Sequence, residues 1–215
     1  HKTDGQDIKI KEDIEIKYLE NIKKIFDPVM GGFGSAPKFP QPSTIMHTFN
    51  YYEYLKIENK EKEKTAINMS INSLVAMQEG GINDQLGGGF FRYSVDDVWM
   101  IPHFEKMLYD NACLLECYCK AYLLTKNKEF YHTAKKTADW LINEMQSIDG
   151  GFYSSIDADS DNGEGQYYIW DKKEVKECLS KNDYNIFSEY FGINKKENFE
   201  GKHHLYVSYN IKEDF

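Results

Sequence analysis

The chain has 215 residues, with 35 acidic against 26 basic side chains and a formal net charge of −9. That balance argues against nucleic acid and anionic membrane as partners, because both are held through basic surface. The length permits one large domain or two small ones, and 41% hydrophobic residues suffice for a real core.

Helical periodicity dominates from residue 12 onward, so we read 1–11 as a linker and 12–215 as one helical domain. Residues 12–27 place Tyr18, Leu19, Ile22, Ile25 and Phe26 on one side. Residues 43–58 start with Ser43 as N-cap and carry Ile45, Met46, Phe49 and Tyr52. Residues 63–79 carry Ile67, Ile71, Leu74 and Val75. Residues 103–125 show two apolar stripes and a narrow polar arc of Glu105, Tyr109, Glu116 and Lys120, which predicts a helix buried between neighbours. Residues 129–147 are one-sided, as an outer helix would be, and a sixth helix starts at Asp171.

The connections alternate. Long glycine-marked segments (Gly31-Gly32-Phe33, Gly80-Gly81-Ile82, Gly150-Gly151-Phe152) follow the first, third and fifth helices, and short polar links near 59–62 and 126–128 follow the second and fourth. In antiparallel helices this puts every long loop on one face. Two of these loops carry strand signals. Residues 90–94 are expected to pair with 98–100 across Asp96-Asp97, and 151–154 with 166–170 across an acidic tip. The expected architecture is all-α, a toroid of antiparallel helical hairpins with small β-hairpins on its decorated face.

Four cysteines, at 113, 117, 119 and 178, form no Cys-x-x-Cys pair, and we expect reduced, buried, small apolar residues, in keeping with a cytoplasmic compartment. No signal peptide or membrane-spanning apolar run is read. The absence of an initiator Met and the end at Asp214-Phe215 lead us to expect a piece of a longer protein.

The chemistry concentrates in Pro102-His103-Phe104-Glu105-Lys106-Met107-Leu108-Tyr109-Asp110-Asn111. On a helix, His103 and Asp110 would fall on nearly the same side, and Asp110 beside apolar residues must be paired or protonated. Asp110 and Asn111 could equally serve to tie loops to the inner helices. A second candidate is the loop 157–165, with Asp157 and Asp159. It fails the calcium-binding EF-hand pattern, because Asn162 stands where glycine is required and Tyr168 where the bidentate acid is required. Calcium in another geometry, a solvated tip, or acids turned into a central cavity remain as readings. The third is Asp84, ahead of Gly87-Gly88-Gly89, glycines that allow close backbone approach or a tight turn. Arg92 is the single arginine among 26 basic residues, and its planar fork suits a carboxylate or phosphate as well as a stem packed on Phe91 and Tyr93. No phosphate loop or nucleophile elbow is present, and neither metal nor cofactor is expected.

Together with Gly34-Ser35-Ala36-Pro37-Lys38-Phe39-Pro40, the segments Gly31–Pro42, Gly87–Asn111 and Gly150–Trp170 carry a resemblance. The chain, from about residue 12 to 208, resembles the helical part of thioredoxin-domain proteins of the YyaL or spermatogenesis-associated protein 20 type. The resemblance implies a six-hairpin α/α toroid similar to N-acylglucosamine 2-epimerases and six-hairpin glycosidases, of which about half is present, and a thioredoxin-like domain upstream. It implies carbohydrate-related chemistry by analogy of fold. The expected site is isomerase- or hydrolase-like, with His103 as acid/base and Glu105, Asp84, Asp157 or Asp159 as its partner. Arg92, Tyr93, Trp99 and Trp170 would hold a sugar, with Lys38 and Asp110 as further binding residues. The rival is a non-catalytic scaffold for the thioredoxin-like domain. An open toroid edge also predicts a homodimer.

Overall fold

The computed structural model describes residues 14–57, 64–160 and 163–208; the linker reading of 1–11, the link near 59–62 and Asp161-Asn162 lie outside the described residues. The helices follow the predicted order: α1 (Ile14–Ile25), α2 (Pro42–Ile57), α3 (Thr65–Glu79), then α4 (Leu108–Thr125) and α5 (Lys128–Trp140), which ends in a wide π turn over Leu141–Met145. α2 packs on α3 and α4 on α5 as hairpins, and α2 also packs on α4, giving the two-layer order of a toroid. Ile45, Phe49, Leu74, Met77, Leu114 and Tyr118 are buried in the shared core, and the Tyr118 hydroxyl donates to the Leu74 carbonyl. No described helix is long and apolar enough to cross a membrane.

Local chemistry moves several boundaries. α2 begins at Pro42 rather than after Ser43, because proline fits the first helical position, where its missing N–H costs nothing. The sixth helix is two: α6 (Lys172–Cys178), started by a capping box from Asp171 and Glu174, and α7 (Lys181–Tyr190), capped by Ser180. Leu179 between them is extended. Only Cys117 of the four cysteines is buried. Cys113, Cys119 and Cys178 are free and exposed, against expectation. The reason on α4 is that the helix is covered on one side only: Tyr109, Cys113, Glu116, Cys119 and Leu123 form an open stripe.

The largest revision concerns residues 102–107, which are extended and not helical. β1 (Tyr93–Ser94) pairs with β2 (Pro102–His103), and β3 (Lys106–Met107) pairs with β4 (Ser155–Ile156) in the third long loop. The Arg92 N–H donates to the Glu105 carbonyl between them. Residues 98–100 cannot be the partner of 90–94, because the Asp96 carboxylate accepts from the N–H groups of Val98, Met100 and Ile101 and curls that segment into a tight loop. Nor does 151–154 pair with 166–170. β5 (Asp159–Ser160) pairs with β6 (Gly163–Glu164), and β7 (Ile169–Trp170) with β8 (His203–His204). The three long loops are thereby stitched together, Lys38 to Ser94 and Lys106 to Ile156, so the decorated face is one connected surface.

Where β7 meets β8, His204 is 3% exposed and its Nε2 donates to the Gly81 carbonyl at 2.6 Å. The carbonyl of Tyr168 lies 3.4 Å from Nδ1, too far to offset the burial that pushes the imidazole below its ordinary range. The unfolded chain therefore takes up a proton at this residue, below about pH 6.5, that the fold refuses. His204 should stay neutral under acid in the folded protein, read from its side-chain nitrogen shifts. Titration at the ordinary histidine value would refute this.

Candidate functional site

The extended backbone of 102–107 sorts its side chains by parity, since successive residues of a strand point to opposite faces. Phe104 and Lys106 are buried, and His103 and Glu105 are partly exposed. The polar residues of this one segment therefore serve two places.

On the exposed side, His103 stacks on Tyr93 with ring centroids 5.0 Å apart. Its Nδ1 is 2.7 Å from Glu164, and its Nε2 is 3.7 Å from Glu105. Glu105 accepts from Arg92 at 2.9 Å. Glu164 reaches His103 because Gly165, at φ +73°, lies against the Phe104 ring where any side-chain carbon would collide. Asp110, in the first turn of α4, completes the group. Its Oδ2 is buried without a hydrogen-bond partner, and burial pushes its pKa up to about 6, with Arg92 opposing and Glu105 adding. The Nε of Arg92 is likewise buried and unpartnered. The cluster thus has an imidazole between two carboxylates, a guanidinium, and a carboxyl that is half protonated near pH 6.

On the buried side, Lys106 is 1% exposed, and its ammonium donates to Asp84 at 2.7 Å and to the Gly88 carbonyl at 2.9 Å. The rings of Phe91, Trp140 and Tyr168 surround it at 4.8 to 5.0 Å. Burial pushes its pKa down, while Asp84 opposes that shift. Gly88 and Gly89, both at positive φ, let this loop lie against Lys136 and Trp140 of α5, so the glycines serve packing around Lys106. Lys106 borders a cavity of about 300 Å³ that Asp84, Asp157 and Asp159 also line.

The site residues expected from sequence are therefore divided. His103, Glu105, Arg92, Tyr93 and Asp110 come together on the exposed side, and Asp84, Asp157 and Asp159 border the cavity on the other. Trp99 and Lys38 join neither: both are fully buried, Trp99 donating to the Met30 carbonyl and Lys38 to Asp27 at 2.7 Å and the Asp97 carbonyl. Trp170 pairs with His203 in β7 and does not line the cavity. Asn111 is a tie: its amide grips both the N–H and the carbonyl of Phe90 and the carbonyl of Met107. Lys106 and Glu164 are the residues that sequence reasoning passed over. Nothing local signals either: Lys106 is polar where a buried strand position would read apolar, and Glu164 reaches His103 from a distant loop. A larger cavity of about 530 Å³ lies between α3, α5 and α7 and includes none of the expected residues. Among the described residues, no three His, Cys, Asp or Glu side chains gather as a metal site would require.

No protein-family model matches the chain. Among solved structures it is similar to a cellobiose 2-epimerase from Spirochaeta thermophila (TM-score 0.53, 20% identity, 65% of this chain and 36% of that one). It is also similar to a sugar epimerase from a ruminal bacterium (TM-score 0.55, 14% identity, 73% and 43%). A family 76 glycoside hydrolase, a mannosidase from Bacteroides thetaiotaomicron, matches at TM-score 0.53 with 16% identity over 68% and 39%. At such identities these likenesses show the fold alone, the α/α toroid. By sequence the chain is 40% identical over 167 residues to human spermatogenesis-associated protein 20, covering 75% of this chain and 21% of that protein. It is 35% identical over 215 residues to uncharacterized protein B0495.5 of Caenorhabditis elegans, covering 92% of this chain and 29% of that one. The chain spans between a fifth and a third of these relatives, and as such a segment, a partial α/α toroid, it belongs to the spermatogenesis-associated protein 20 family.

Proposed function

We propose that the His103 cluster is a sugar-converting site, epimerase- or glycosidase-like, on the decorated face of the toroid. The observation that carries this reading is the imidazole held between Glu164 at 2.7 Å and Glu105 at 3.7 Å, with its ring face on Tyr93. Such a histidine is placed to pass a proton between a substrate and the flanking carboxylates. Asp110, with a pKa near 6, is the complementary acid, and a second proton-carrying group is what epimerisation demands. Arg92 would orient a polar substituent of the substrate. The sugar-acting enzymes that share the fold support the substrate class. The test is ligand-induced thermal stabilisation and turnover of the full-length protein against a panel of mono- and disaccharides, with His103→Ala as control. A ligand at a hundred times its Kd adds about 2.7 kcal/mol. Turnover lost in the variant supports the reading, and turnover unchanged refutes it.

A second reading is favoured by the open stripe of α4, where Leu123 is 60% exposed and Tyr109 52%. In it the toroid is a docking surface for a thioredoxin-like domain or a second copy of this chain. Sedimentation that stays monomeric across concentration would remove the second copy.

A further inference from the structure

The cavity beside Lys106 stands on residues that the His103 cluster does not use. Its volume of about 300 Å³ lies at the small end of ligand sites, enough for one sugar-sized ring. Four carboxylates border it, Asp84, Glu144, Asp157 and Asp159, against the single ammonium of Lys106. Such a lining repels a phosphate or uronate. An ammonium has three hydrogens, and Asp84 and Gly88 take two from Lys106; among the described residues no acceptor takes the third. The same ammonium occupies the place beside Asp84 that a metal cation would want. A hydroxyl group suits the lining better than any ion, because it accepts from Lys106 while donating to a carboxylate. Tyr167, which is 77% exposed, supplies a ring face for the C–H side of such a ligand, while Trp140 and Tyr168 turn their faces to Lys106.

We propose that this cavity is a binding site for a single uncharged or amino-bearing sugar ring, separate from the His103 cluster across the extended segment 103–107. Asp157 and Asp159 accept from ring hydroxyls, the remaining hydrogen of Lys106 is donated to one of them, and Tyr167 closes over the ring. β5 and β6 form a wall common to both places, since Asp159 borders the cavity while its register partner Glu164 holds His103.

The experiment measures binding of D-glucose, D-glucosamine and glucose 6-phosphate to the full-length protein by calorimetry, with Tyr167→Ala and His103→Ala variants. Tyr167 is exposed, so its replacement spares the fold. The expected result is binding of the first two sugars, at least tenfold weaker binding of the phosphate, and a tenfold loss in Tyr167→Ala that is found equally when His103→Ala is also present. Failure of glucose and glucosamine to bind, or equal binding of the phosphate, would overturn the inference. Binding lost in His103→Ala and kept in Tyr167→Ala would overturn it while leaving the His103 reading intact. Binding that depends on Tyr167, in a protein whose sugar turnover ignores His103, would uphold the cavity and refute that reading instead.

Discussion

Lys106→Met is expected to destabilise the toroid by about 3–5 kcal/mol, the cost of breaking a buried ion pair from one side. Methionine fills much the same volume and keeps the contacts to Phe91, Trp140 and Tyr168, so little of the loss comes from packing. What it removes is the partner of Asp84, which is only 13% exposed, and the donor to the Gly88 carbonyl. Asp84 also holds its own loop, accepting from the N–H groups of Leu86 and Gly87, so an uncompensated charge there loosens the three-glycine turn packed on α5. Against a total of about 5–15 kcal/mol for a typical domain, this is a large fraction. Adding Asp84→Asn to Lys106→Met should recover part of the loss, because the second change removes the stranded charge. Urea denaturation of the single and double variants measures both. A single-variant loss below about 1 kcal/mol would mean that water solvates Asp84 freely, contrary to its burial.

The first five helices were legible because each runs for three turns or more with apolar residues at helical spacing, and α5 shows it best: Phe130, Ala134, Thr137 and Trp140 are the buried side of an otherwise polar helix. The loops' shared face was legible from the alternation of long and short links. What could not be read was the state of 103–107. Five residues are too few to tell period two from period 3.6, and they run directly into the apolar pattern of α4, which extends the helical reading backward. Their extended form is imposed from a distance, by β1 on one side and β4 on the other, and such non-local pairing leaves no mark in neighbouring residues. The same cause brings Glu164, 61 residues along the chain, to His103. The candidate acids were legible as residue types. Their division between two places was not, since it follows from the parity of one short strand. Lys38 and Trp99 illustrate the opposite failure. Each carries a group suited to ligands, and each spends it on a loop carbonyl or an aspartate inside the fold.

Asp110→Asn is the substitution expected to stabilise the protein, with a gain that grows from about pH 4 and is complete above about pH 6. The Asp110 carboxyl titrates near 3.8 when free and is pushed up to about 6 in the fold, chiefly by burial. Between those values the native state holds a proton that the unfolded chain has released, so stability falls as pH rises through that window. Below it both states are protonated and the residue is neutral in its effect; above it the fold carries the full cost of an ionised, half-buried carboxylate. About two pKa units correspond to a little under 3 kcal/mol, and partial exposure reduces this to roughly 2 kcal/mol. Asparagine keeps the shape and the polar atoms without the charge, and its amide can also donate toward Glu105. The variant should therefore match the parent at pH 3.5 and exceed it by that amount at pH 8, measured by denaturation at both values. His204 acts in the opposite direction, weakening the fold as pH falls below about 6.5, so in the parent the two effects oppose each other between about pH 4 and 6, and Asp110→Asn should leave the His204 rise unopposed there. Equal stability of parent and variant at pH 8 would place the Asp110 carboxyl in full solvent and remove it as the acid partner of His103. A gain at pH 8 together with lost sugar turnover would instead mark it as a group kept costly by the fold because the chemistry needs its proton.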